Sequence, residues 1–438
     1  MSITWVALII VLGGLVGGLL WLGLIAADRS APISFRRLVV VMVAVGIACR
    51  IAFALFTPTF FAPDERAHLR YMAYLYEKRS LPVQTSQTDA PTNDWEYYQP
   101  PLYYLAATPI YALSQWLLHG DEDLTVRAIR LFSVALWCVT VMMAFKVLEH
   151  LQVVDVFVET FAVGMVCLLP SFTFLSSVIN NDNLLIALGN VILYLLIKWK
   201  DARGSVWLGI LVGLALWVKL TAVIYIVAAV TLFVARWITK SVSWSSAILQ
   251  SVVTAAIASV LWSPWAARNL NLYGDLTAEK VANIPVQWPS WVGAVGTTLS
   301  YMLTSFWAAS GKGNNVGCLP FGAGLTALAI IGLVYGLFSK NKPVYHFLTG
   351  TYADLAIASL VTVIANILLV VRFGWLYGQG QGRFLFPVLI PISVFIAVGL
   401  RLLEADRLNR AHVHAVGFLS AYALSFTGFS LGLFMLVR

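Results

Sequence analysis

The sequence predicts an all-α polytopic membrane protein. Of its 438 residues, 60% are hydrophobic and only 11% are charged, whereas a soluble domain carries roughly 25% charged residues. The mean hydropathy is +0.84, and apolar runs of about 20 residues, the length that crosses a hydrocarbon core, recur along the whole chain. These continuous runs exclude a β-barrel, whose strands alternate apolar and polar residues. Helices therefore have to satisfy the backbone polar groups in lipid.

The net charge of +8 comes from basic clusters between the apolar runs. Such clusters mark cytoplasmic loops, so the charge does not indicate a nucleic-acid partner. The four cysteines are scattered without CxxC or zinc-ligand spacing, which argues against a disulfide framework or a metal site, and no cofactor is predicted. The first apolar run, Ile3–Ala26, lacks a basic leader and a cleavage site. We expect it to be a retained membrane helix rather than a signal peptide.

The first two helices bring the chain to the outer face. A helix over about 3–25 ends at a cluster of arginines, and a second, over about 38–56, returns outwards. Residues 64–80 form an amphipathic helix that lies in the interface. Residues 100–118 are apolar, but short and interrupted by prolines. A crossing there would put the next basic cluster outside, so we interpret this segment as an interfacial or re-entrant element on the outer face.

The remaining apolar runs complete a bundle of about twelve transmembrane helices with extracytoplasmic juxtamembrane helices. We expect these spans at about 126–148, 157–178, 183–197, two pieces joined at 218–221, 247–265, 321–338, 355–371, 385–402 and a last helix at the carboxyl end. Every basic cluster then falls on one side of the membrane. The chain reads as one membrane domain, 1–438, because no internal repeat is evident. It has two outer loop regions, 57–126 and 268–320.

The first outer loop concentrates acidic residues. Nine of the chain's 20 Asp and Glu residues lie between Phe61 and Val126. Asp64 follows Pro63 at the start of the predicted helix, whose positive amino-terminal dipole keeps a carboxylate ionised. His68 lies one turn further along the same face. An ionised carboxylate with limited access to water can take a proton from an attacking hydroxyl, so Asp64 is the candidate general base. The alternative is an ordinary solvated loop charge.

Other polar residues on the same outer face are candidates for the site. Glu65 points in another direction from Asp64, and we expect it to orient substrate or bind a cation. Asp182 lies among three asparagines and is either a catalytic acid or a helix cap. Arg383, in QGQGR, can bind a phosphate bidentately or anchor the interface. Lys219 either lines a cavity or snorkels. The further candidate substrate-binding residues are His68, Tyr98, Gln99, Arg268 and Lys312.

Seven short motifs occur in a fixed order over about residues 38–405. They are PDERAH, YYQPPLYYL, SSVINNDNLLIAL, GLALWVKLTA, WAARNLNLYGD, SFWAASGKGN and QGRFLFPVLIPI. Each is short and degenerate, but their order and sidedness together resemble the GT-C superfamily of membrane glycosyltransferases. The chain is most similar to the branch that holds protein O-mannosyltransferases, lipid A aminoarabinose transferases and their uncharacterised bacterial relatives.

This resemblance implies a GT-C-like bundle, located in a bacterial inner or plasma membrane. Enzymes of this superfamily transfer a sugar from a polyprenyl-phosphate carrier to an extracytoplasmic acceptor, so we expect the same activity here, with a lipid, polysaccharide or protein as the acceptor. The family's first acidic pair corresponds to Asp64 and Glu65, and its second acidic position to Asp182. Its phosphate-contacting basic residue corresponds to Arg383, and no metal is expected. An extra helix precedes the usual first one. No sizeable carboxy-terminal soluble domain follows, which argues against an oligosaccharyltransferase and leaves the acceptor open.

Two other functions compete with the enzyme. A secondary transporter or flippase for lipid-linked sugars also has about twelve helices, but transporters place ionisable groups near the bilayer midplane, often within repeats. In this chain the charges concentrate at one outer surface. A non-catalytic assembly subunit would not need Asp64, Asp182 and Arg383 together. We therefore expect a polyprenyl-phosphate-sugar-dependent glycosyltransferase.

Overall fold

The computed structural model describes residues 35–85, 93–150, 156–307, 309–310, 313–314, 319–338 and 352–403. The predicted first and last membrane helices and Lys312 lie outside these ranges. The α-helices are α1 (Phe35–Phe56), α2 (Glu65–Lys78), α3 (Leu102–Leu117), α4 (Glu122–His150), α5 (Val156–Leu168), α6 (Pro170–Leu175), α7 (Asp182–Lys198), α8 (Ala202–Leu216), α9 (Val223–Ile238), α10 (Trp244–Tyr273), α11 (Glu279–Ala282), α12 (Trp291–Trp307), α13 (Leu319–Phe338), α14 (Ala353–Tyr377) and α15 (Leu389–Leu403).

Short elements join these helices. Two 3₁₀ helices, Leu220–Ala222 and Gly382–Val388, lead into α9 and α15 respectively. The two-residue strands β1 (Ala309–Ser310) and β2 (Gly313–Asn314) pair antiparallel after α12. The protein is therefore almost wholly helical where the structure describes it.

Helices of membrane-spanning length confirm an integral multi-pass membrane protein. Five stretches of the described chain are long and apolar enough to cross a bilayer: Glu122–His150, Leu220–Ile238, Trp244–Tyr273, Ala353–Tyr377 and Gly382–Leu402. Shorter apolar helices cover Val40–Phe56, Val158–Leu168, Arg203–Leu216 and Ala323–Gly336. The total of about twelve spans stays a prediction.

Two predicted boundaries are wrong. The expected single span over 157–178 is two helices, α5 and α6, because Pro170 cannot continue a helix and holds Leu169 at an extended ψ of 117°. The helix expected to end near residue 265 continues to Tyr273, so Arg268 lies on α10 rather than in a loop. The second outer region, 268–320, accordingly begins within a helix and also contains α11, α12 and the strand pair.

The expected helix over 64–80 and the interruption at 218–221 are both confirmed. The former is α2, and Lys219 breaks the chain between α8 and α9 with φ −162° and ψ 141°. α3, in the segment 100–118, packs against α2 and α4. Tyr71 of α2 and Tyr104 of α3 stack with ring centroids 3.7 Å apart, which fixes α2 against α3.

Buried arginines from neighbouring helices donate hydrogen bonds to the last carbonyl groups of two helices. Arg130 of α4 donates to the carbonyl oxygens of Ala54, Thr57 and Pro58, at and just beyond the end of α1. Arg236 of α9 donates in the same way to carbonyls at the end of α7 and forms an ion pair with Asp354. The last carbonyls of a helix have no partner within it, and an unsatisfied carbonyl is costly in a membrane. These two arginines satisfy them from neighbouring helices.

Candidate active site

Asp64 lies immediately before α2, as the N-cap residue. Its backbone is left-handed, with φ 61°, a conformation that aspartate tolerates better than most residues. The side chain makes no capping hydrogen bond. Instead, Oδ2 accepts a hydrogen bond from Arg383 Nη2 at 3.1 Å. The structure thus joins two residues that the sequence predicts as base and phosphate ligand.

The charge of Arg383 keeps Asp64 ionised. Burial acts to raise the pKa of Asp64, but the charge of Arg383, with smaller effects from His68 and Lys219, outweighs it. The pKa of the carboxyl therefore lies below its ordinary value of 3.8. Asp64 is an anion at neutral pH, as a base has to be.

Close packing fixes the position of Arg383. The backbone N–H of the preceding residue, Gly382, donates to Ser305 Oγ of α12 at 2.8 Å. A Cβ atom at Gly382 would lie 2.2 Å from the backbone nitrogen of Phe306 and 2.4 Å from the carbonyl oxygen of Met302. Only a glycine allows this approach, so α12 holds the 3₁₀ helix that carries Arg383.

A second ion pair lies beside the first. Lys219, in the break between α8 and α9, donates through Nζ to Asp182 Oδ1 at 2.6 Å, and Asn181 Oδ1 lies 3.5 Å away. Asp182 is the first residue of α7 and is only 3% exposed. It is not an N-cap by its side chain. Asn180 Oδ1 instead accepts a hydrogen bond from the Asp182 backbone N–H.

Glu65 is enclosed by protein groups. Arg130 forms two hydrogen bonds with its carboxylate, at 2.8 and 2.7 Å, and both residues have 0% side-chain exposure. Glu65 Oε1 also accepts from the backbone N–H of Ile179, and Oε2 from that of Phe60. These contacts tie α1, α2 and α4 to the loop before α7. They favour a positioning role for Glu65 over direct contact with substrate, and its proposed catalytic role stays a prediction.

Two cavities, each of about 430 Å³, meet at Asp64 and Arg383. The Arg66 cavity is lined by residues 60–66 and by residues of α12 and the segment before Arg383. The Lys219 cavity is lined by the segment 95–100, by Lys219 and by apolar residues of the bundle. Both are lined by the neck residues Asp64, Trp95, Asn180, Gln379 and Arg383. The paired Asp64 and Arg383 can therefore face two different molecules at once.

A buried polar cluster lies in the wall of the Lys219 cavity. His68 Nδ1 lies 2.9 Å from the Tyr104 hydroxyl and 3.9 Å from Glu96 Oε2, and the Tyr104 hydroxyl lies 3.5 Å from the same oxygen. Burial, and then the charge of Asp64, raise the pKa of Glu96 to about 8. Burial lowers the pKa of His68 to about 4, against the opposing charge of Asp64. Both side chains are therefore uncharged at neutral pH.

The remaining predicted site residues fall in different places. Tyr98 and Gln99 line the Lys219 cavity, and Gln99 Nε2 donates to the Tyr98 hydroxyl at 2.9 Å. Arg268 donates to the carbonyl oxygen of Pro82 and stacks over Trp265 at 4.6 Å. It therefore packs against a residue of the cavity wall and does not itself line the cavity. Lys312 lies outside the described residues.

Sequence reasoning missed several residues of the site. Arg130 could have been found, because a charged residue inside a predicted span indicates a buried partner. Trp95, Glu96 and Gln379 lie in polar loops, where nothing in the local sequence distinguishes them from solvated residues.

The described part of the chain contains no group of three or more His, Cys, Asp or Glu side chains that could hold a metal ion. The expected absence of a metal stays a prediction.

Comparison with solved structures identifies the fold. ArnT from Cupriavidus metallidurans bound to undecaprenyl phosphate matches with a TM-score of 0.54 at 12% identity, over 91% of this chain and 77% of that one. The apo state of ArnT gives a TM-score of 0.42 at the same identity, over 87% and 77% of the two chains. No family model and no curated protein matches the sequence. The chain thus shares the fold of this ArnT structure, which belongs to the group of lipid A aminoarabinose transferases that its ordered motifs resemble.

Proposed function

We propose that the protein transfers a sugar from a polyprenyl-phosphate carrier to an acceptor on the extracytoplasmic face of the membrane, with Asp64 as the general base. The observation that carries this proposal is the ion pair of Asp64 and Arg383 at the neck of two cavities. The fold supports the class of donor, because the ArnT structure that it matches is bound to undecaprenyl phosphate.

The two cavities suit two substrates. The Lys219 cavity is lined by three cations, Lys219, Arg372 and Arg383. It combines them with apolar side chains such as Leu369 and Phe373 from α14. A phosphate with a hydrocarbon chain needs this combination, so we assign the donor to this cavity. The Arg66 cavity is lined more by polar and loop residues. We assign the acceptor to it.

Donor binding activates the base. Without donor, the Asp64 carboxylate is occupied by the Arg383 guanidinium. A donor phosphate competes for the same guanidinium, whose Nε has no hydrogen-bond partner among the described residues. Arginine binds phosphate through two parallel N–H groups. The phosphate therefore takes Arg383 from Asp64 and leaves the carboxylate free to accept a proton.

The transfer is then a single displacement. The acceptor oxygen attacks the anomeric carbon of the sugar, and its proton passes to Asp64. The bond between that carbon and the phosphate oxygen breaks, and the electron pair leaves with the polyprenyl phosphate. Arg383 and Lys219 stabilise the negative charge that develops on this oxygen. One displacement inverts the configuration at the anomeric carbon.

Replacing Asp64 by asparagine tests the base. The change keeps the shape of the side chain and a backbone that tolerates positive φ, but removes the proton acceptor. We expect Asp64→Asn to lower the transfer rate about 10²- to 10⁴-fold in an assay with purified protein and a polyprenyl-phosphate sugar. Binding of the carrier should persist.

The matched control is Glu77→Gln, which neutralises an exposed acid on the same helix, α2, and should leave transfer unchanged. Full activity of Asp64→Asn would show that the base is another group. Movement of lipid-linked sugar across liposomes without transfer would identify a flippase instead.

A further inference from the structure

We propose that Trp95 and Glu96 form the sugar subsite of the donor cavity, and that Glu96 recognises an uncharged sugar by hydrogen bonding. This inference rests on the proposed function. It goes beyond it by naming the residues that contact the transferred group and the chemical class of that group.

The segment from Trp95 to Pro100 places these two side chains beside the reacting centre. Trp95 lines both cavities at the neck, together with Asp64 and Arg383. Glu96 follows directly, lines the Lys219 cavity and is only 8% exposed. The anomeric carbon has to lie between the base and the phosphate ligand. The sugar ring attached to it therefore reaches the indole and the carboxyl.

The surroundings of Glu96 favour its neutral form. Its nearest polar neighbours are a phenol, Tyr104, and an imidazole, His68, neither of which is charged at neutral pH. Burial and the negative charge of Asp64 raise the pKa of Glu96 to about 8, against the opposing charges of Lys219 and Arg383. A protonated carboxyl has one O–H donor and one carbonyl acceptor, which suits a sugar hydroxyl that both donates and accepts.

Two donors in the same region lack a protein partner. Among the described residues, Asn181 Nδ2 and Trp95 Nε1 are buried without a hydrogen-bond partner. Asn181 is 1% exposed and lines the Lys219 cavity. A buried donor without a partner is costly, and a ligand oxygen that accepts from it gains affinity. Sugar hydroxyl oxygens are such acceptors.

Equilibrium binding to the full chain in lipid nanodiscs tests the subsite. The probes are undecaprenyl phosphate, undecaprenyl-phosphoryl-mannose as a neutral-sugar carrier, and an undecaprenyl-phosphoryl-linked aminosugar. We expect the protein to bind the mannose carrier more tightly than the bare carrier and than the aminosugar carrier. Glu96→Ala should weaken binding of the mannose carrier about tenfold, whereas Glu96→Gln, a neutral isostere, should stay within about threefold of the parent. Binding of the bare carrier should change with neither variant.

Trp95→Phe provides a second test that keeps an aromatic ring and removes Nε1. It should weaken binding of the mannose carrier but not of the bare carrier, and thermal unfolding of each variant checks that it folds. Equal binding of the bare and mannose carriers by the parent protein would overturn the subsite and leave the proposed function standing. The subsite would also be overturned if the parent bound the aminosugar carrier tightly and if Glu96→Gln and Glu96→Ala both abolished that binding. Glu96 would then act as a negative charge. Failure of the parent to bind undecaprenyl phosphate would overturn the proposed function and the subsite with it.

Discussion

At Asp64 the backbone and the side chain have separate tasks. An aspartate at the start of a helix normally caps it by accepting from a backbone N–H of the first turn. Asp64 makes no such bond, and its carboxylate is directed to Arg383 instead. The ion pair of Glu65 and Arg130 stabilises the same turn, so the turn does not depend on the Asp64 side chain. The carboxylate is free for chemistry because its neighbour supplies the structural contacts.

The pH dependence of kcat/KM follows from this arrangement. This parameter reports the free enzyme, in which Arg383 is paired with Asp64 and the pKa of the carboxyl lies below 3.8. Protonation removes the base, so the rate should fall only as the pH drops below about 4 and should not fall between pH 7 and about 5. Transfer assays across this range measure it.

The titration of His68 has to be distinguished from that of Asp64 in this pH profile, because burial lowers the pKa of His68 to about 4. The acid limb should persist in His68→Gln if it belongs to Asp64. A loss of that limb in the variant, or a limb near pH 6 to 7 in the parent, would contradict the assignment.

Motifs at helix ends let the sequence single out candidate site residues, whose roles stay predictions. Asp64 and Arg383 both lie in such motifs, and the structure brings them into contact across the bundle. Glu96 was missed because its importance depends on distances to His68 and Tyr104 that only tertiary packing creates. The sequence makes Arg268 a candidate substrate-binding residue because it lies on the outer face, whereas the structure turns it towards Pro82 and Trp265.

Two interruptions between helices present the cationic residues of the candidate site. The break between α8 and α9 presents Lys219, and the 3₁₀ helix before α15 presents Arg383. Irregular backbone at membrane depth is tolerated where it is enclosed by protein or lines a cavity. Both interruptions line the Lys219 cavity.

Replacing Gly382 tests whether packing against α12 fixes the position of Arg383. The added methyl group of Gly382→Ala would collide with the backbone of α12 at Met302 and Phe306. Backbone cannot move aside as a flexible side chain can, so α12 and the 3₁₀ helix have to separate. We expect transfer activity to fall at least tenfold. The melting temperature should also drop, because overpacking typically lowers the free energy of unfolding by ~1–3 kcal/mol.

The matched control for Gly382→Ala is Gly296→Ala. Gly296 lies on α12 itself, and no atom lies within 4 Å of the position its Cβ would take. Activity and melting temperature should stay at parent values there. Alanine favours a helix more than glycine does, so helix propensity cannot cause a loss in either variant. Equal losses in the two variants would therefore show that the close contact of Gly382 with α12 is not what holds Arg383.

The lengths of the apolar runs predict where most of the helices lie, but they do not always predict where a helix ends. The boundaries of α4, α7 and α15 lie within a few residues of the expected spans. α10 runs eight residues beyond the expected end at 265, because its polar last turns stay helical after the apolar run has finished. Hydropathy detects where a helix leaves the hydrocarbon, which is a different point from where the helix stops.

The whole molecule has two chemically distinct ends. Asp64, Asp182, Lys219 and Arg383 lie together at one end. The opposite ends of α7 and α9 carry Lys198 and Arg236 and lead to exposed Lys240. Basic residues favour the cytoplasmic side, so the Asp64 end should face away from the cytoplasm.

Cysteine labelling measures this orientation. In a background with the native cysteines replaced by serine, Glu77→Cys lies at the exposed end of α2, the helix that begins beside Asp64, and Ser241→Cys follows α9 at the basic end. We expect a membrane-impermeant maleimide to label Glu77→Cys in intact cells and Ser241→Cys only after permeabilisation. The reverse pattern would invert the topology and move the proposed reaction to the cytoplasmic face.

The contact of Asp64 with Arg383 spans 319 positions of the chain. At a synthesis rate of about 5–20 residues per second, roughly 16 to 64 seconds separate the appearance of the two residues. Throughout that interval the growing chain holds a carboxylate without its guanidinium. The contact that we propose as the reaction centre can therefore form only after residue 383 has been made, when nearly all the described helices have already been synthesised. A chain that ends before residue 383 lacks this contact, so on the proposed function it cannot consume carrier lipid.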